Sequence, residues 1–240
     1  MEFDGTQILI GKGAQADVIS YKGYAYKLYR PTYPSEWIDF EIRQQEAVNQ
    51  AGLTPVRYYR TDDVHILKMD LIDGETLEKY ANAADPLSFY VLADAFRKVH
   101  EADATGLDIP PLSLTAGMDL SEEDKAVVLP IIERLSQKYK TCICHLDMHF
   151  LNIMLPRETT RISEDTKYTI IDWMNTRLAP AVFDYARAYV IFDEFSQEAL
   201  HYYKEQVLPQ MWKQGVPEED FADAVKACFL MRKREKGETR

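Results

Sequence analysis

Four polar residues fall within one short stretch, His145-Leu146-Asp147-Met148-His149-Phe150-Leu151-Asn152. The order is H-x-D-x-H-x-x-N. Asp147 could orient a hydroxyl group and take its proton, and the Asn152 amide oxygen could share Mg²⁺ with a second carboxylate. That carboxylate follows at the end of an apolar run, Ile170-Ile171-Asp172-Trp173. Phosphoryl transfer uses these parts: one carboxylate for the acceptor hydroxyl, and a carboxylate with an amide oxygen for the metal that neutralises phosphate charge. The chain has five histidines. Asp and Asn at both required offsets from one of them would arise by chance on the order of one time in a hundred at ordinary usage.

A second group lies upstream, in Gly11-Lys12-Gly13-Ala14-Gln15-Ala16-Asp17-Val18. Small residues at Gly11, Gly13 and Ala14 let backbone N–H groups approach phosphates without a Cβ clash. The stretch departs from G-x-G-x-x-G, because Ala16 stands where the third glycine would be. It precedes Ala25-Tyr26-Lys27-Leu28, a lysine inside an apolar strand. A half-buried lysine needs anionic partners, which ATP phosphates and a helix carboxylate would supply. Glu41 and Glu46 are both candidates on the following helix. They lie five residues apart and so face different sides, and the spacing to Pro55 favours Glu41.

The elements that must carry these residues divide into two kinds. Residues 1–72 read as a small β-rich part. Strands are expected over Thr6–Ile10, Asp17–Tyr21 and Tyr24–Tyr29, with a tight Lys22-Gly23 turn between the last two. A polar-capped helix is expected from about Ser35 to Ala51, stopped by Gly52, followed by strands Val56–Arg60 and Val64–Leu71. Residues 73–240 read as largely helical, after a hinge near 69–74. Leu87, Val91, Ala95, Phe96 and Val99 repeat at helical spacing, and Ser121 opens a helix that Pro130 should kink. Short strands return near Asn152–Leu155 and Tyr168–Ile171. Everything after Ala181 looks helical, with a break at Gly215 and Pro217. The fold class is therefore α+β.

The chain of 240 residues carries 46% hydrophobic residues and a formal charge of −11, enough apolar content for a packed core. Of that charge, −2 falls in residues 1–72 and −9 in the remainder; ordinary solubility is the better reading of that imbalance, although a cationic acceptor would also suit the second part. The acidic balance argues against a nucleic-acid binder. No run approaches a membrane span, and the acidic start resembles no signal peptide. The three cysteines lack framework spacing, which points to a reducing, cytoplasmic setting. Cys142-x-Cys144-His145 would need a second ligand pair to hold a metal, so a strand core is the better reading. His100 reads as a helix cap or core histidine. Tyr185, Tyr189, Phe192, Tyr202 and Tyr203 read as helix packing, although they could line a pocket for a cation.

Taken together, these motifs resemble the protein-kinase-like fold, and within it the aminoglycoside phosphotransferase and choline kinase superfamily, over roughly Gly5 to Glu235. His149 carries the distinction, since protein kinases usually place a lysine there; Ile171-Asp172-Trp173 likewise resembles the superfamily's I-D-W. The resemblance implies two lobes with MgATP in the cleft, Lys27 on the phosphates, Asp147 as catalytic base, and Asn152 and Asp172 on Mg²⁺. It implies a small-molecule hydroxyl acceptor bound by the second lobe. Lys68–Gly74 is similar to the inter-lobe linker, so the Asp70 carbonyl and the Ile72 N–H would read adenine. Backbone reading leaves ATP against GTP open. Asp184 matches a structural aspartate of the superfamily. The departures are Leu146 in place of glycine, and Phe150 and Leu151 where Pro or Gly is common. An atypical protein kinase and a nucleotide-binding module without turnover are the alternatives.

Overall fold

The computed structural model describes residues 2–82, 85, 87–118 and 120–235. Three strands open the chain, β1 (Ile8–Lys12), β2 (Ala16–Tyr21) and β3 (Tyr24–Tyr29). Lys22 and Gly23 both take positive φ, 46° and 80°, in the mirror-image turn whose twist matches the flanking strands. A helix, α1 (Ser35–Gln50), and two strands, β4 (Tyr58–Arg60) and β5 (Ile66–Asp70), complete an antiparallel sheet in the order β1-β2-β3-β5-β4. Ile38 and Ile42 of α1 pack with Ala16, Tyr29 and Leu67 of the sheet. Ala47 and Val48, further along the helix, belong to the larger core of the second lobe. The helix thus touches both cores.

Several boundaries differ from expectation for local reasons. The first strand starts two residues late because the Thr6 N–H and hydroxyl both go to the Asp4 carboxylate, at 3.1 and 2.6 Å. It ends two residues late because Gly11 and Lys12 pair with Val18 and Asp17. Val56 lies outside β4, since its carbonyl accepts from the side-chain amides of Gln45 and Asn49 (2.6 and 2.9 Å). No polar side chain caps α1; Pro34 precedes its first turn. Gly52, at φ 71°, ends it as expected.

The second lobe begins with β6 (Gly74–Thr76), α2 (Leu77–Asn82), α3 (Ser88–Glu101), α4 (Leu112–Thr115) and α5 (Glu122–Lys138). Four short strands follow, β7 (Thr141–Cys144), β8 (Ile153–Pro156), β9 (Thr169–Ile170) and β10 (Arg177–Pro180). The chain closes with α6 (Ala181–Phe195), α7 (Gln197–Gln206), α8 (Leu208–Trp212) and α9 (Glu218–Glu235). Ser121 caps α5 by accepting from the Asp124 N–H at 3.1 Å, and the helix continues through Pro130 to Lys138. β6, β8 and β9 form one small sheet, and β7 pairs with β10 in another. Gly74 is sterically required in the first, because a Cβ there would sit 2.2 Å from the Leu155 carbonyl oxygen. α6 runs through the centre of the lobe, with Phe183, Tyr185, Ala186 and Ala188 buried. Tyr185, Phe192 and Tyr203 pack in the core, whereas Tyr202 is exposed. Among the described residues no helix is long and apolar enough to cross a membrane.

Candidate active site

The loop 145–152 leaves β7 and enters β8. Its conformation depends on one buried carboxylate. Asp184, in the first turn of α6, accepts from the His145 N–H at 3.0 Å and the Leu146 N–H at 2.8 Å. Its Oδ2 also meets His100 Nε2 at 2.9 Å. Leu146 holds φ at 58°, a left-handed conformation that costs an ordinary residue about 1–2 kcal/mol. The hydrogen bond to Asp184 and burial of the leucine side chain hold it there. The replacement of glycine at this position therefore leaves the turn in a glycine-like geometry.

His145 joins the two aspartate-bearing segments. Its Nδ1 accepts from the Asp147 N–H at 3.2 Å, so Nε2 carries the proton and donates to the Ile171 carbonyl at 3.0 Å. Burial pushes this imidazole's pKa down, in keeping with a neutral ring. The ring packs against Trp173, with centroids 4.6 Å apart, and the indole N–H donates to the Ile170 carbonyl. The Ile171 N–H donates to the Asn152 carbonyl at 3.0 Å, which ties the strand before Asp172 to the end of the loop.

Within the loop, Asn152 Nδ2 donates to the Asp147 carbonyl at 2.8 Å and to its carboxylate at 3.2 Å. The amide nitrogen is thus engaged within the loop, and the amide oxygen is the atom a hard metal ion would take. Burial opposes ionisation of Asp147. The adjacent His149, whose Nε2 lies 3.6 Å from Oδ2, and the more distant charge of Arg187 outweigh it and hold the carboxyl well below the usual range. His149 also caps the short turn Phe150–Asn152 by accepting from the Leu151 N–H at 3.3 Å.

Across the cleft, Lys27 Nζ lies 2.7 Å from Glu41 Oε1 and 3.4 Å from Asp172 Oδ1. The second Glu41 oxygen accepts from the Tyr29 hydroxyl. Burial disfavours the ammonium, but Asp172 and Glu41 raise its pKa well above the ordinary value. Glu46 is exposed on the other side of α1 and has no part in this pair. Asp172 takes a left-handed backbone, φ 63° and ψ 62°, and its side chain is 45% exposed. Asp172 and the Asn152 amide oxygen are hard donors of the kind Mg²⁺ takes, and the lysine beside them fits a phosphate.

The sheet sets the start of the glycine-rich turn in register with the same lysine. Gly11 pairs with Val18, and Val18 with Lys27, in cross-strand register. Gly13 closes the turn with an N–H to the Ala16 carbonyl at 2.8 Å, and a Cβ at Gly13 would sit 3.1 Å from that oxygen. Ala14 lies inside the turn. Arg30 grips Asp17 with two 3.0 Å bonds at its base. Asp70 ends β5, where its carboxylate accepts from the Arg57 N–H and the Tyr59 hydroxyl; Ile72 follows in the segment before β6.

Three groups in or beside the site had weaker signals. His100 reaches Asp184 across 84 residues. It also lies with Cys142 and Cys144 so that their donor atoms fall within 4.8 Å of one another, while His145 turns away to Ile171. Both thiols contact the Ala179 carbonyl in the strand core, at 3.5 and 3.4 Å. Tyr29 gave no sign of its bond to Glu41. Arg187 did leave one: it and Asp184 are the charged residues in the otherwise apolar stretch Leu178–Phe192, and buried charges require partners.

The fold is kinase-like and two-lobed, and it brings together a buried lysine, a loop aspartate and asparagine, and a strand-end aspartate. Residues 7–217 match the phosphotransferase enzyme family, and the chain belongs to that family. The fold is similar to that of an aminoglycoside phosphotransferase, APH(4)-Ia, solved in a ternary complex with AMP-PNP and hygromycin B. The TM-score is 0.62 at 12% identity, over 98% of this chain and 88% of the other. It is also similar to that of the choline kinase LicA from Streptococcus pneumoniae, with TM-score 0.58 at 16% identity, over 98% and 87% of the two chains. A probable serine/threonine-protein kinase of Dictyostelium discoideum is 31% identical over 83 residues, 33% of this chain; the match spans only 8% of that protein's length.

Proposed function

We propose that the protein transfers the γ-phosphoryl group of ATP to a hydroxyl of a small molecule. The observation that carries this reading is the Lys27 bridge. One ammonium from the first lobe meets Glu41 and also Asp172, the residue 145 positions away whose strand is tied to the Asp147 loop. Lys27 contacts the α- and β-phosphates beneath the Gly11–Val18 turn. Adenine is read at the Asp70 carbonyl and the Ile72 N–H, with residues 69–74 as the linker between parts 1–72 and 73–240. Asn152 and Asp172 would hold Mg²⁺, which when bound would supply neutralisation of phosphate charge. Asp147, ionised at neutral pH, orients the acceptor hydroxyl and receives its proton as the new oxygen–phosphorus bond forms. Positioning supplies most of the acceleration.

The test is coupled ADP release with Mg²⁺ and ATP against a panel of hydroxyl compounds, in wild type and Asp147→Asn. Acceptor-dependent release should fall at least about a thousandfold in the variant, because the group acting on the acceptor is gone. An unchanged unfolding midpoint would show that the loop remains in place. Retained turnover would sink the assignment. The similarity to a probable protein kinase favours a second reading, which transfer of labelled phosphate from ATP to a protein mixture would reveal. His149, where protein kinases usually carry a lysine, and Trp173 directly after Asp172 argue against it.

A further inference from the structure

A small cavity, about 60 Å³ and open to solvent, lies beside Leu146, the residue before Asp147. Its polar lining comes from Thr115, Asn175, Arg177, Arg187 and Glu235. The chain as a whole is strongly acidic, yet this wall holds two guanidinium groups and one carboxylate. Arg177 is engaged as part of the wall: Nε donates to Thr115 Oγ1 at 2.8 Å, Nη1 donates to the Met174 and Thr176 carbonyls, and the group lies over the Phe40 ring.

Arg187 differs. Its side chain is only 4% exposed, and Nη2 donates to Oε2 of Glu235, the last described residue of α9. Its Nε is buried and has no hydrogen-bond partner. Nε–H and Nη2–H lie on one edge of a guanidinium, the fork that fits both oxygens of a carboxylate. Glu235 uses half of that fork. A buried, unmet charged donor is costly, and a ligand carboxylate accepting from both nitrogens would satisfy it. The Glu235 side chain is 33% exposed, so its carboxylate can be displaced toward solvent.

We propose that the acceptor is a hydroxy acid, whose carboxylate docks on the Nε and Nη2 edge of Arg187 in place of Glu235 and whose hydroxyl points to Asp147. This rests on the phosphotransferase reading given above. The step balances as a transfer: the hydroxyl oxygen bonds to the γ-phosphorus, the bond to the β–γ bridging oxygen breaks, ADP leaves, and the hydroxyl proton passes to Asp147. A cationic acceptor, which the acidity of the second lobe suggests, would meet two guanidinium groups here.

The experiment uses the full chain in two arms. In the first, glycerate and gluconate are compared with glycerol and glucose, and with kanamycin and choline, for ATP-dependent ADP release. In the second, gluconate and glycerate binding is measured calorimetrically for wild type, Glu235→Gln and Arg187→Lys. The acids should stimulate release at least tenfold more than their neutral counterparts. Glu235→Gln should bind them about five- to tenfold tighter and lower KM with little change in kcat. Arg187→Lys should raise KM at least tenfold. If Arg187→Lys does not fold, the Glu235→Gln result decides alone. Stimulation by kanamycin or choline only, or weaker acid binding in Glu235→Gln, overturns the anchor while the phosphotransferase reading stands. Acid binding that tightens in Glu235→Gln without any ADP release keeps the anchor and overturns phosphoryl transfer.

Discussion

Glu41 and Asp184 are both buried carboxylates, one in each lobe, and they are satisfied in different ways. Glu41 meets side chains, the Lys27 ammonium and the Tyr29 hydroxyl. Asp184 meets two backbone N–H groups of the loop that carries Asp147, and the imidazole of His100. A side-chain partner can be shared, and Lys27 is shared with the half-exposed Asp172. A backbone partner cannot move without moving the chain. The first lobe therefore carries an adjustable charge, whereas the second holds a preorganised loop. Packing follows the same division. The sheet side has two small apolar clusters, and the second lobe has one large core that extends to α1.

Asp184→Ala should have the largest effect on stability. It leaves the His145 and Leu146 N–H groups buried and unpaired, with Leu146 still in a left-handed conformation. A loss of about 3–5 kcal/mol is expected, with an unfolding midpoint lower by roughly 10 °C and turnover lost with it. A shift under about 2 °C by scanning calorimetry would contradict the loop-fixing role. Lys27→Met should cost less, about 2–3 kcal/mol, because Tyr29 keeps one Glu41 oxygen partnered. It should also raise KM for ATP more than tenfold if the lysine meets phosphates, whereas an unaltered KM would leave it a purely structural ion pair.

The third expectation concerns pH. Burial disfavours the His100 imidazolium, but the Asp184 carboxylate outweighs it, so its pKa stands above the ordinary 6.5. A raised folded-state pKa adds stability that is fully present below about pH 6.5 and is lost as pH rises through the folded value. The unfolding midpoint of wild type should thus fall over that window more steeply than that of His100→Gln. Parallel profiles would show that His100 is not charged in the fold. The smallest effect belongs to Glu46→Ala, on the exposed face of α1, which should change stability by about 0.5 kcal/mol or less. A loss comparable to that of Glu41→Ala would mean that the two faces of the helix are not distinct.

Much of the candidate site could be picked out because its groups come in short fixed spacings. Asp147 and Asn152 lie on one loop, Asp172 ends an apolar strand, and Lys27 sits inside another. The boundaries of β1 and β4 were less legible. There, side chains at Asp4, Gln45 and Asn49 compete for the backbone from positions that strand patterning does not weigh. The tyrosines of α6 and α7 followed their helical spacing, except that Tyr202 lies outside the core.

Local order and residue type by themselves determined the fold class and the family and singled out the candidate site residues, because those depend on spacing along the chain. Only the tertiary structure decided which residues meet across long separations. It chose Glu41 over Glu46 by the facing of α1, set Leu146 in a glycine-like turn by placing Asp184 beneath it, and brought Arg187 to Glu235 at the far end of α9. Each of those choices is made by burial: once a charge or a backbone N–H is taken out of water it must find a partner, and where that partner lies is a property of packing.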